Sequence, residues 1–259
     1  MTLATYENVI LHEYRDGNLR EVSLPFSSEY AVTLKINDRP YITMACSGTY
    51  LHEHVAGYLL TEGIITCMDQ IEKIAIEESN QTVNVVLLQD SILTEKLNRI
   101  KTISAAGGRA RKDLPADDLI RQHLPAVRAE VIIAAMNDFL SSSRERESTH
   151  GVHGAALYSL AGEKIVFFDE IGRHNAIDKV IGHAAVNNIS LEDKMICSTG
   201  RISSEIALKI INARAPVLIT RASPTTLSVK LLRRYNILSL IRAVQGRFYV
   251  VNGKEQIVL

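Results

Sequence analysis

Apolar and polar positions alternate in short runs along the first third of the chain, the period-two pattern of half-buried strands. The pattern predicts strands over 8–14, 31–36 and 41–45, with Asn37-Asp38-Arg39-Pro40 turning between the last two. From Tyr50 the spacing of Leu51, Val55, Tyr58, Leu59 and Leu60 becomes helical and stops at Gly63, predicting a helix over 50–62. Strands over 71–76 and 82–88, around the polar turn 77–81, complete a small α+β unit. Periodicity breaks over 101–115, where adjacent glycines and basic side chains read as a basic loop joining two lobes. Val131, Ile132, Ala135, Met136 and Phe139 form a helical stripe over 127–140, and the serine-rich stretch 141–151 reads as another loop. Beyond it strands and helices interleave: strands over 155–158, 164–168, 194–198, 217–220 and 238–242 with an edge at 248–251, and helices over 175–187, 203–213 and 226–235. Interleaving of this kind predicts an α/β lobe with a mixed, mostly parallel sheet covered on both faces. The expected division is an N-terminal α+β lobe over 1–125 and a second lobe over 126–259.

Candidate chemistry collects where strands give way to helices. The densest stretch, Asp169 to Lys179 (DEIGRHNAIDK), follows a strand and opens a helix, whose free backbone N–H groups suit an anion. The alternative is an ordinary strand-to-helix connection with a solvated first turn. Two further strands end in similar punctuation, Ser198-Thr199-Gly200-Arg201 and Arg221-Ala222-Ser223-Pro224-Thr225. Ligands of open α/β sheets bind at the carboxyl ends of strands. The pattern therefore nominates Gly172, Arg173, His174, Asn175, Ser198, Gly200, Arg201 and Ser223 for one anion site, with hydroxyl donors and guanidinium forks suited to phosphate. Against this, Ser203 and Thr225 have the alternative role of helix caps, and Arg173 and Arg201 that of structural ion pairs.

Composition narrows the function. Lys plus Arg and Asp plus Glu number 29 each, so no global field draws the 259-residue chain to nucleic acid or an anionic membrane, and any anion site is local. The start lacks a basic segment followed by an apolar stretch, and no apolar run approaches the ~20 residues of a membrane span, so a cytoplasmic protein is expected. Cys46, Cys67 and Cys197 are widely spaced and form no CxxC pair, which predicts reduced thiols rather than disulfides or a zinc site. His52-x-His54 and His150-x-x-His153 lack a third ligand at a telling distance, and no metal is expected. GxGxxG, P-loop and GxSxG motifs are all absent from the sequence.

The chain resembles the FdhD family of formate dehydrogenase accessory sulfurtransferases along nearly its whole length. The resemblance is carried by RPYITMACSG and HEHVAGYLLTEGII in the first lobe, by THGVHGAALYSLAGEKIVFFDEIGRHNAIDKVIG and STGRISSEIALKI in the second, and by ASPTTLSVKL and QGRFYVV near the end. It implies a three-layer, cytidine-deaminase-like second lobe. It also implies a homodimer that passes sulfur from a cysteine desulfurase to the molybdenum bis(molybdopterin guanine dinucleotide) cofactor, carried for formate dehydrogenase. The family's cofactor contact falls on Arg242, Ala243, Val244, Gln245, Gly246 and Arg247, where two guanidiniums and a glycine suit pyrophosphate; a plain basic turn is the alternative. One departure stands out. Where family members carry cysteines in the interlobe loop, this chain has Ser104-Ala105-Ala106-Gly107-Gly108-Arg109-Ala110, with Ala106 and Arg109 at the thiol positions. Neither side chain can carry sulfane sulfur, because the relay needs a thiolate. Two functions follow: a carrier that moves sulfur through another cysteine, or a chaperone that binds and delivers the cofactor. A zinc deaminase is excluded by the missing H-x-E and P-C-x-x-C set, and a non-catalytic protein that docks on the dehydrogenase or desulfurase is the third class.

Overall fold

A computed structural model describes residues 3–77, 81–88, 102–103, 109–110 and 115–259. The chain opens with a hairpin of β1 (Tyr6–Arg15) and β2 (Asn18–Ser27), the second strand of which the sequence pattern did not predict. One face of this hairpin carries Val9, Leu24 and Phe26, all exposed. A two-stranded hairpin is marginal in water by itself, and this one touches the rest of the fold chiefly at its base, where Ser27 bonds Thr149.

The first lobe is a four-stranded sheet in the order β4-β3-β6-β5, from β3 (Tyr30–Ile36), β4 (Arg39–Cys46), β5 (Ile71–Glu77) and β6 (Thr82–Leu87). Val32, Leu34, Ile36, Val83 and Val85 point to one face and bury against α1 (Leu51–Thr61). Short β7 (Thr102–Ile103) and β8 (Arg109–Ala110) pair antiparallel, and Ala106 between them lies outside the described residues.

The second lobe begins with β9 (Val127–Arg128) and α2 (Ala129–Ser141). The predicted helix start at 127 gives way to β9 because Val127 and Arg128 pair in parallel with the chain end, β16 (Ile257–Val258). The predicted loop 141–151 contains α3 (Arg144–Thr149), which Ser143 caps by accepting from the Arg146 N–H at 3.0 Å. Then follow β10 (His153–Ser159), β11 (Lys164–Glu170), α4 (Arg173–Val186), β12 (Lys194–Ser198), α5 (Ser204–Asn212), β13 (Val217–Thr220), α6 (Thr226–Arg234), β14 (Leu238–Val244) and β15 (Arg247–Asn252). The sheet order is β11-β10-β12-β13-β14-β15. The expectation of a mostly parallel sheet is corrected: only β12–β13 and β13–β14 run parallel. Tight connections join β10 to β11 and β14 to β15, and such short loops can link only antiparallel neighbours.

The lobe has three layers, set by alternation along its central strands. Ile196 and Leu218 face α4, α5 and α6, whereas Met195, Cys197, Val217 and Ile219 face α2. Helix α4 is buried twice, against the sheet and against α1, which explains its weak amphipathic pattern. At the α1–α4 crossing the backbones touch: a Cβ on Gly57 would lie 1.8 Å from the Asp178 carbonyl, and one on Gly182 1.8 Å from the Glu53 carbonyl. Gly57→Ala is accordingly expected to destabilise the fold by about 1–3 kcal/mol or more by prising the helices apart, checked by urea unfolding against the unmodified protein.

Candidate functional site

Strands β11, β12, β13 and β14 all run toward one edge of the sheet, because β10 is antiparallel to both of its neighbours. Their carboxyl ends deliver Gly172 to Asn175, Ser198 to Arg201, Arg221 to Ser223, and Arg242 to a single rim. The structure thus gathers the sequence-nominated residues, but it gives them different tasks.

Half of the DEIGRHNAIDK stretch bolts the lobes together. Glu170 and Lys179 form an ion pair with both side chains fully buried. Glu170 also accepts from the Ser47 N–H at 2.9 Å and the Ser47 hydroxyl at 2.7 Å. Asp178 accepts from Lys209 at 2.9 Å and from Thr61 at 2.7 Å, while Asn175 donates to the Ala45 carbonyl at 2.8 Å. Burial by itself would lift the Glu170 carboxyl, but Lys179 and Ser47 overcome it and hold Glu170 below the usual range.

The other half faces the rim. A Cβ on Gly200 would meet the Arg173 Cβ at 2.8 Å, so glycine lets the Arg173 stem cross the turn. Burial, then the neighbouring Arg201, lowers the Arg173 guanidinium from its ordinary value, and the Glu205 carboxylate acts in the opposite direction. His174 bonds the Ser203 hydroxyl and the Glu205 carboxylate, each at 3.2 Å. Ser203 and Thr225 do cap their helices, accepting from Ile206 and Ser228. Ser198 is buried and accepts from the Gly200 N–H at 3.1 Å, so its hydroxyl shapes the turn.

Arg242 sits at a bulge with φ +48°, unusual for a residue with a side chain. Its N–H bonds the Ala222 carbonyl at 3.1 Å and its Nε donates to Ser223 at 2.9 Å, which joins the last predicted segment to the β13 turn. Gln245 and Gly246 form the following turn, with φ of +53° and +73°. Ala243 is buried in the core on the α2 side, Val244 pairs with Arg247, and Arg247 is exposed.

Two rim arginines and a rim histidine were not nominated from sequence. Arg146 arrives on α3, and its charge is felt at Arg221, whose guanidinium is lowered first by burial and then by Arg146. His153 is lowered by burial, then by Arg173, Arg221, His174 and Arg146. The signal for Arg221 was available, since it follows β13 as Arg201 follows β12. Arg146 was hidden by reading its helix as a loop. So many mutually repelling cations at a strand-end rim is an arrangement that an anion relieves.

The thiols are elsewhere. Cys46 and Cys197 are buried, and Cys67 is exposed. Burial first, then Glu170, pushes the Cys46 thiol up to about 11, and burial pushes Cys197 up as well. No group of three or more metal-ligating side chains occurs among the described residues, and no described helix is long and apolar enough to cross a membrane.

Fold and rim together define a two-lobed α/β protein with a cationic strand-end edge. The chain belongs to the FdhD/NarQ family, whose profile matches residues 27–258. It is 30% identical to the sulfur carrier protein FdhD of Bacillus subtilis (strain 168), over 94% of both chains. It is likewise 30% identical to that of Listeria monocytogenes serotype 4b (strain F2365), over 95% of this chain and 97% of the other. A crystal structure assigned as a formate dehydrogenase accessory protein from Desulfotalea psychrophila shares the fold, with a TM-score of 0.80 and 24% identity over 98% of this chain and all of that one.

Proposed function

We propose that this protein serves formate dehydrogenase by binding the molybdenum bis(molybdopterin guanine dinucleotide) cofactor as cargo, with its phosphates along the cationic rim. The observation that carries the reading is the convergence of Arg146, Arg173, Arg201, Arg221 and Arg242 at the ends of successive strands and of α3. The fit is one of donor chemistry: guanidinium forks and imidazole N–H groups match phosphate oxygens. Arg201→Ala should weaken binding of GDP, a fragment of that cargo, by about 1.5–3 kcal/mol if the side chain makes a charged hydrogen bond to phosphate. Titration calorimetry checks this, and the same measurement on Arg247→Ala decides whether the site extends to the β14–β15 turn. Unchanged affinity in both variants would remove the rim from the reading.

A persulfide relay is the family's other half, and the thiols of this chain weigh against it. Ala106 stands at the family's sulfur position, and two of the three cysteines are buried with thiols held protonated. We therefore favour cofactor delivery without a persulfide on this chain. After incubation with a cysteine desulfurase and cysteine, the intact mass is expected to show no reductant-labile gain of sulfur. A gain abolished by Cys67→Ser would instead establish transfer through the exposed thiol. The expected homodimer has a fitting surface in the apolar face of the β1–β2 hairpin. The three-layer second lobe supports the cytidine-deaminase-like assignment.

A further inference from the structure

Strand β4 is the outer strand of the first-lobe sheet, and its open side borders a cavity of about 390 Å³ between the lobes. Four consecutive residues, Ile42 to Ala45, line that cavity. Their side chains alternate between the two faces of the sheet, so what they share is the strand's edge. Which backbone groups point there follows from the ladder. The Thr33 N–H donates to the Gln81 carbonyl, just before β6, so Thr33 turns its backbone away from β4, and the bonds to β4 come from Val32 and Leu34 to the opposite Met44 and Ile42. Thr43 and Ala45 therefore direct their N–H and C=O groups outward. The second lobe agrees, since Asn175 donates its side-chain amide to the Ala45 carbonyl at 2.8 Å. Among the described residues the Thr43 N–H and C=O and the Ala45 N–H meet no protein partner, and both residues are exposed.

An unpaired edge is a template for a further strand unless proline, charge or a bulge blunts it. Pro40 and the bulge beside it blunt only the start of β4 and leave Thr43 to Ala45 clear. Charge selects the occupant. Glu29, Glu62, Asp178 and Glu205 line the cavity against one ammonium, Lys209. Lys209 holds Asp178 and Glu62, and His174 holds Glu205, yet the carboxylates outnumber the cations and the lining stays net negative. We propose that the β4 edge takes up an extended, basic segment of a partner protein as an added strand, the recognition mode in which main-chain bonds give affinity and alternate side chains give specificity. Ile42 to Ala45 extends about 10 Å at ~3.4 Å per residue, which suits about four residues of such a segment. Apolar side chains of the segment lie beside Ile42 and Met44, and its lysines or arginines reach the carboxylates. The arginine rim repels the same segment, which confines it to the cavity.

The probe is a capped five-residue peptide alternating valine and lysine, titrated by calorimetry into the full-length protein. On the unmodified chain, saturating peptide is expected to slow hydrogen exchange at the Thr43 and Ala45 amides, and the same peptide with glutamine for lysine should bind more weakly. Thr43→Pro removes one outward N–H while leaving the bonds to β3 in place, and should weaken the peptide about 5-fold or more, the loss of one hydrogen bond. Thr43→Val keeps that N–H and should bind as the unmodified protein does. Binding with no change of exchange at Thr43 and Ala45 would overturn strand addition, as would a folded Thr43→Pro variant of unchanged affinity. Equal binding of the glutamine peptide would overturn the basic character of the partner segment, and absence of binding by either peptide would overturn the site. The exchange measurement on the unmodified chain needs no variant to fold.

Discussion

Lys179→Met is expected to lower the unfolding free energy by about 3–5 kcal/mol, because it leaves the Glu170 carboxylate buried without its cation. Both side chains are fully buried, and Lys179 also donates to Ser47 at 2.8 Å and Thr49 at 3.2 Å. Ser47 and Thr49 belong to the first lobe and Glu170 and Lys179 to the second, so the loss falls on the interface between them. At roughly 2–4 °C per kcal/mol for a chain of this size, the midpoint should drop by about 10 °C. Pairing Lys179→Met with Glu170→Leu should recover much of it, since removing both charges also removes their desolvation cost. A single variant within about 1 kcal/mol of the unmodified protein would show that Ser47 and the Ile171 N–H by themselves satisfy the carboxylate. The sign with pH follows from Glu170 titrating below its ordinary value: its contribution is present above the unfolded carboxylate range and lost as pH falls through the lower folded value.

His54 should dominate the acid limb of stability. Burial, helped by Lys179 and Lys209 and opposed by Glu170 and the Asn175 amide, lowers this imidazole from 6.5 to about 4. The unfolded chain therefore takes up a proton that the folded chain refuses. Stability is full above about pH 6.5 and falls toward pH 4, by about 3 kcal/mol in all at 1.36 kcal/mol per unit. His54→Leu should flatten the curve across that window while leaving the slope below pH 4 that Glu170 and the other carboxylates contribute. Urea unfolding at pH 7, 5.5 and 4 reads this directly. Parallel curves for the variant and the unmodified protein would mean that His54 is solvated enough to titrate normally.

Much of the architecture was legible along the chain. Strands 194–198 and 217–220 coincide with β12 and β13, since continuous apolar runs bounded by polar turns have little other reading. The clustering of candidate residues after strands was equally visible, because topology places strand ends of like direction on one edge. What escaped was decided by partners distant in sequence. Val127 and Arg128 became a strand only because the chain end lies beside them, and α3 depends on a cap at Ser143 and a left-handed His150 after an unpatterned polar run.

The sequence by itself determined the interleaving of strands and helices and the family, since these follow from periodicity, turn chemistry and motif identity, all local properties of the chain. Only the tertiary structure decided how the DEIGRHNAIDK stretch divides. One helix position more or less turns a side chain by about 100° at 3.6 residues per turn, so Arg173 and His174 reach the rim while Asp178 and Lys179 enter the buried seam with the first lobe. The same packing placed carboxylates in a cavity beside a cationic edge, a separation of charge that a net charge of zero conceals.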